Sequence, residues 1–276
     1  MSRIELDDRI PVDQPAPAPR RFRRPGAATI VLAIIAAGLC IHGLTATGIE
    51  PARLLKAPER TLDFLSRGFP PSSDRLRPLS EAMLETVEMA LLGTIFGALL
   101  SLPVALLAAR NTSPHRAIAF LATSALTAMR AIPDLVWALV FVVSVGLGPL
   151  AGILTITVDV VAFAGRFFAE RIEEVERGPV EALRATGARR RAVIACAILP
   201  TCFPSFTGTT LYSLEKSVRG AVVLGLVGAG GIGVELSTAF ELRRFDTAVT
   251  IILLILVVVI VVERISSTIR ARMLDG

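Results

Sequence analysis

Five ionisable side chains stand where a membrane-length apolar run should carry none. Arg130 and Asp134 flank Ile132-Pro133 inside the stretch 117–145, and Glu215, Lys216 and Arg219 lie within 203–227. At bilayer depth each such charge costs at least about 2.5 kcal/mol, so these residues are expected to face a bundle interior or a water-filled path and to pair with one another. The chemistry open to them is non-covalent: lining a route for a charged solute, or joining helices as structural ion pairs. Glu215 and Arg219 are four residues apart and could form an intrahelical pair, so both readings stand at this point. Pro133 removes a backbone donor from the same run, which predicts a kink or break there.

Equipment for covalent chemistry is missing. The two histidines, His42 and His115, have no second ligand at helical spacing, and no His-Glu-x-x-His, Gly-x-Ser-x-Gly or Gly-x-x-x-x-Gly-Lys-Ser/Thr sequence occurs. Intramembrane Ser and Thr residues have no His or Lys partner of the kind a membrane hydrolase would need. Cys40, Cys196 and Cys202 show no metal-ligand spacing and read as small residues in or beside spans. The run Gly228-Ala229-Gly230-Gly231-Ile232-Gly233 satisfies a dinucleotide fingerprint formally, but no strand precedes it and no strand–helix repeat surrounds it. A flexible, closely packed turn is the better reading. No cofactor or metal is expected on this chain.

The elements that must position the charges are helices in a membrane. The chain of 276 residues is 53% hydrophobic, with a mean hydropathy of +0.65. Apolar runs of about 20 residues match the hydrocarbon thickness, and they fall at 27–47, 84–109, 117–145, 150–168, 203–227 and 248–262. These define an all-α, polytopic protein of six transmembrane helices. The net charge of +5 follows membrane sidedness rather than nucleic-acid binding. With six crossings, Arg20 to Arg24, Arg110 and Arg116, the arginines from Arg166 to Arg191, and Arg264, Arg270 and Arg272 all fall on one face, the cytoplasmic one. Both termini are then cytoplasmic, with 1–26 a disordered Pro-, Ala- and Arg-rich tail, 27–48 the first membrane helix, retained rather than cleaved, and 49–83 extracytoplasmic. The part 84–276 forms the main body, with its principal cytoplasmic loop at about 176–200.

That loop has local grammar of its own. Pro179 lies near a helix start, Glu181-Ala182-Leu183-Arg184-Ala185 continues it, and Gly187 supplies a C-terminal stop, which predicts a helix of about two turns. A second apolar piece, 192–199, ends at Leu199-Pro200, so a turn at Gly187 would pack the two as an elbow. A short exposed helix of this kind can seat in a partner's groove.

The order Glu181-Ala182-Leu183, then Gly187, then Leu199-Pro200 resembles the coupling loop of ABC importer permeases, with Leu183 where Ala is usual and Ile198 one place from its usual position. From Phe69 onward the likeness narrows to the permease of phosphonate ABC transporters. It rests on Phe69-Pro70-Pro71 with Asp74, the block Arg130-Ala131-Ile132-Pro133-Asp134-Leu135-Val136-Trp137-Ala138-Leu139, Val145 to Gly152, Leu224 to Gly233, and the Glu215/Arg219 spacing. Ser217 stands where that family is expected to carry Asn. The resemblance implies a type I ABC importer permease-like fold in the inner membrane and a homodimer with a second copy of itself. It also implies a cytoplasmic ABC ATPase dimer bearing ATP and magnesium, and an extracytoplasmic substrate-binding protein. Glu181, Ala182, Leu183, Gly187, Leu199 and Pro200 would couple to the ATPase. Arg130, Pro133, Asp134, Glu215, Lys216 and Arg219 would form the pathway or gate, the arginines offsetting the charge of a phosphonate in transit and the acids keeping it from being trapped. Methionine, phosphate and phosphite are the rival solutes. A secondary transporter is the rival class, although it should show paired broken segments and only the one at Pro133 is evident.

Overall fold

The computed structural model describes residues 26–46, 48 and 55–274; the expected disordered tail 1–26 lies outside them except for Gly26. All regular structure among the described residues is helical. The chain divides into two compact units, 1–60 and 61–276. The first holds α1 (Ala27–Ala46), 20 residues of apolar helix with no buried side chain. At 1.5 Å per residue it is about 30 Å long, a bilayer's hydrocarbon thickness.

The second unit begins within the amphipathic helix α2 (Ala57–Gly68), whose Phe64 stacks on Phe240 and meets Phe245 edge-on, with ring centroids 6.1 and 5.3 Å apart. It continues with α3 (Leu76–Ala108), α4 (Arg116–Ala131), α5 (Asp134–Val145), α6 (Pro149–Glu173), α7 (Arg177–Ala185), α8 (Arg190–Gly225), α9 (Ile232–Glu241) and α10 (Phe245–Leu274). Among the described residues, five helices are long and apolar enough to cross a membrane, and six if the bent pair α4–α5 is one span. The break at Pro133 is a 91° bend rather than a mild kink. Pro133 has no N–H to offer the Met129 carbonyl, and the Trp137 indole nitrogen donates to that oxygen instead, at 3.4 Å.

The scaffold of this unit is the α3–α6 pair. Gly93 and Gly97 form a Gly-x-x-x-Gly face, on which an added methyl would lie 2.6 Å from Ile156 Cγ2 or 2.5 Å from Val160 Cβ. Only hydrogen at those positions lets the two backbones approach. Ser101, one turn further, donates to the Val160 carbonyl at 3.3 Å. One face of α6 is thereby spent on α3, and Leu126, Phe168, Cys202, Phe206 and Val218 complete a core drawn from α4, α6 and α8.

Candidate translocation path and coupling surface

α8 carries three of the six sequence-derived pathway residues, and the structure separates them. Glu215 is buried, and its Oε1 accepts from Arg270 Nη2 of α10 at 2.7 Å. The intrahelical Glu215–Arg219 pair is therefore not formed, because α10 brings a guanidinium to Glu215 and leaves Arg219 exposed. Lys216, one residue on, points to a different neighbour. Its ammonium donates to both carboxylate oxygens of Asp159 on α6, at 2.6 and 2.8 Å. Asp159 was missed by sequence reasoning, although an acid in the middle of the run 150–168 carries the same signal as those that were singled out.

The Lys216–Asp159 pair faces a cavity of about 470 Å³ that is also lined by Pro133, Asp134 and Arg219. Proline is the reason Asp134 is there: the bend starts α5 afresh, with Asp134 in its first turn, where the helix dipole favours an acid. Arg130 lies on the other side of the break, in the last turn of α4. Its guanidinium carbon is 6.0 Å from the centroid of Phe163, and Lys216 Nζ is 5.5 Å from the same ring, so the π face holds two cations in one neighbourhood. Pro133, Asp134, Lys216 and Arg219 thus converge on one cavity, Arg130 adjoins it through Phe163, and Glu215 belongs to a helix–helix tether.

The expected coupling residues lie at one end of the bundle. α7 has no buried residue, with Glu181 and Ala182 exposed while Val180 and Leu183 turn partly inward. Pro179 falls in its first turn, where an N–H would have no intrahelical partner. Gly187 adopts φ +81°, its N–H donates to the Arg184 carbonyl at 2.9 Å, and the Ala188 N–H donates to the Leu183 carbonyl at 3.3 Å. That is a Schellman closure, which only glycine enters without strain.

The second arm differs from expectation. It does not end at Leu199-Pro200 but runs unbroken from Arg190 to Gly225, passing through a π turn at Ile194–Ile198. The wider turn sits just ahead of Pro200, whose ring would crowd an ordinary helix. Arg190 donates to the Ser113 carbonyl, Arg110 N–H to Glu173 Oε1 at 2.7 Å and Asn111 to the Ile172 carbonyl at 2.7 Å, so the ends of α3, α6 and α8 are tied beside α7. Arg166 and Arg171 are part of α6, and Arg270 and Arg272 part of α10, rather than of loops.

At the opposite end the glycine run 228–233 is packed rather than loose. Glu85 and Thr86 of α3 accept from the Gly231 and Ile232 N–H groups at 3.0 and 2.8 Å, and Gly148 donates to the Gly228 carbonyl at 3.0 Å. A Cβ at Gly233 would lie 2.1 Å from the Val222 carbonyl oxygen. These hydrogen bonds and close contacts explain why the segment is glycine-rich without any nucleotide.

A glycine-zipped helix pair, a broken span, a charged cavity and an exposed elbow before a long helix together describe a type I importer permease. Solved structures agree on the fold: a chain of the inward-facing MetNI methionine ABC transporter superposes with TM-score 0.65 at 23% identity, over 73% of this chain and 99% of its own. The chain belongs to the binding-protein-dependent transport system inner membrane component family, whose model matches residues 101–275. It is similar to the phosphite transport system permease protein PtxC of Stutzerimonas stutzeri, 34% identical over 249 residues, 90% of this chain and 89% of that protein. It is also similar to the phosphate-import permease protein PhnE of Mycolicibacterium smegmatis, 34% identical over 238 residues, 86% of this chain but 45% of that relative.

Proposed function

We propose that this chain is the membrane-spanning subunit of an ATP-driven importer that carries a phosphonate, or a closely related phosphorus oxyanion such as phosphite or phosphate, into the cytoplasm. The observation that carries the reading is the continuity of α8. One continuous helix starts beside the exposed α7 elbow and carries Lys216 and Arg219, which line the cavity. From Arg190 to Lys216 it advances 26 residue steps, about 39 Å at the α-helical rise.

In this reading, closure of a partner ATPase pair, which holds the ATP and magnesium, pushes on Glu181, Ala182 and Leu183. Gly187 fixes the angle at which that push reaches α8, and the segment around Leu199 and Pro200, with its widened turn, passes it on. The cavity then alternates between its two openings as packed helices switch arrangement. A second copy of the chain completes the pathway, and an extracytoplasmic binding protein delivers the solute. The arginine-rich α7 end faces the cytoplasm together with both termini, in the inner membrane of the cell, and α2 lies outside. The names of the relatives PtxC and PhnE support a phosphorus oxyanion, as does a cavity with Lys216 and Arg219 in its wall.

Mild-detergent purification from the native membrane tests the whole reading. Expected are a co-purifying P-loop ATPase and turnover that rises with binding protein loaded with methylphosphonate and not with methionine. A chain that purifies without any ATPase, under conditions that hold related complexes together, overturns it. A cysteine placed at Ser72 and labelled only from the cytoplasmic side would invert the topology.

A further inference from the structure

The face of α6 turned away from α3 carries Asp159, Phe163, Arg166, Glu170 and Glu173, at alternating steps of four and three residues, so all five share one stripe. Cavities follow that stripe from end to end. The first, of about 470 Å³, is walled by Asp159, Lys216 and Arg219. The second, of about 500 Å³, is lined by Arg130 and Arg166, and the third, of about 580 Å³, opens beside the loop 109–115 and is lined by Arg166, Arg116 and Arg110. Arg166 borders both the second and the third, and Phe163 links the first to the second through its contacts with Lys216 and Arg130.

Two of the cations that line these cavities, Lys216 of α8 and Arg166 of α6 itself, are held by acids on α6. Lys216 is bound to Asp159, and Arg166 Nε donates to Glu170 Oε1 at 2.6 Å. Neither pair is sealed. The Lys216 and Arg166 side chains keep 39% and 40% of their exposure, against 27% for Arg270 in the α10 tether. Both pairs border open volume.

We infer that α6 carries a two-step oxyanion relay: a tetrahedral phosphorus oxyanion passes from Lys216 to Arg166, at each step exchanging places with the carboxylate, Asp159 or Glu170, that otherwise occupies the cation. The exchange keeps both cations paired when no solute is present, so that neither is left bare at membrane depth. It also weakens the grip on the solute, because the anion gains only the difference between its own hydrogen bonds and those of the departing acid. Arg110 and Arg116 then receive the anion in the last chamber. The inference rests on the importer reading for the direction of travel, and on the geometry alone for the two anion sites.

The test uses the complete transporter with its ATPase and binding protein. In the detergent-solubilised complex, equilibrium binding of inorganic phosphate to Asp159→Asn and to Glu170→Gln should be about tenfold tighter than to wild type, since each releases a charge-assisted donor. Unchanged binding in both variants overturns the relay, and the two sites are separate enough that a folding failure in one leaves the other to decide. In proteoliposomes, Arg166→Gln should slow methylphosphonate uptake several-fold, and the neutral pair Arg166→Gln/Glu170→Gln should stay equally slow. Recovery of wild-type uptake in that pair would show a structural salt bridge and overturn the relay. Failure of the importer reading is distinguishable: wild type would then import none of methylphosphonate, phosphite and phosphate, while the phosphate-binding comparison still decides whether the sites exist.

Discussion

Replacing Arg270 by glutamine removes the guanidinium from a carboxylate that has almost no access to water. Glu215 is buried to 7% exposure, its partner to 27%, and the contact is 2.7 Å. Breaking such a pair from one side leaves an uncompensated charge and costs about 3–5 kcal/mol, whereas neutralising both sides together is close to neutral. Arg270→Gln should therefore destabilise the protein by about 3 kcal/mol or more, a shift of over 100-fold in the folded-to-unfolded ratio. Glu215→Gln/Arg270→Gln should return to within about 1 kcal/mol of wild type, giving a coupling energy of about 2–3 kcal/mol. The assay is reversible unfolding in mixed micelles at increasing dodecyl sulfate, followed by helical circular dichroism, with Arg67→Gln as the control. Arg67 and Asp63 keep 62% and 55% of their exposure, so that loss should stay below about 1 kcal/mol. Uptake by the Glu215/Arg270 variants should scale with the amount of folded protein and recover in the double variant. If Arg270→Gln costs no more than Arg67→Gln, or if the double variant folds like wild type yet transports nothing, the assignment of Glu215 to a tether fails.

Two further outcomes follow from backbone geometry. Gly187→Ala places a Cβ in the left-handed region at φ +81° and should loosen the α7 closure by about 1–2 kcal/mol. Because α7 is exposed, the protein should still insert and assemble while ATPase stimulation by loaded binding protein falls several-fold; full stimulation would separate α7 from coupling. Gly97→Leu would drive a side chain into Val160, where even a methyl group comes within 2.5 Å, and should cost at least about 1–3 kcal/mol through overpacking, read as loss of monodisperse protein on gel filtration. Wild-type stability in that variant would show that α3 and α6 are not held at glycine distance.

Apolar length, a proline and a glycine were enough to place the spans, the break and the elbow, because each acts locally: a run of apolar residues is a span wherever it packs, Pro133 lacks its N–H in any fold, and Gly187 closes a helix by its own φ. What stayed hidden depends on partners distant in sequence. The tether from Glu215 to Arg270 crosses 55 positions and the pair of Lys216 with Asp159 crosses 57, and no local spacing predicts which acid meets which base. Helical spacing instead offered Glu215 and Arg219, a pair that costs nothing to imagine and is outcompeted once α10 brings its own guanidinium. The continuity of α8 through Pro200 was equally illegible, since a proline reads as a stop until a π turn makes room for it. The Gly93/Gly97 face was local and legible, but it lies inside an apolar run whose length alone had already explained it.

Glu215 and Lys216 show how neighbours in sequence can serve different ends of one mechanism. Successive residues on an α-helix point about 100° apart, so adjacent charges on α8 address different walls. Glu215 turns to α10 and is sealed; Lys216 turns to α6 and stays open to a cavity. In the proposed function, α8 delivers movement from the elbow to the cavity and has use for both. There the packing around the first pair seats α8 on α10, and the second pair gives it a cation that an anion could use. On this view the two pairs should respond oppositely to charge removal. Neutralising the sealed pair should be tolerated if its packing is kept. Neutralising Lys216 and Asp159 together should leave a well-folded protein that has lost a step of its path.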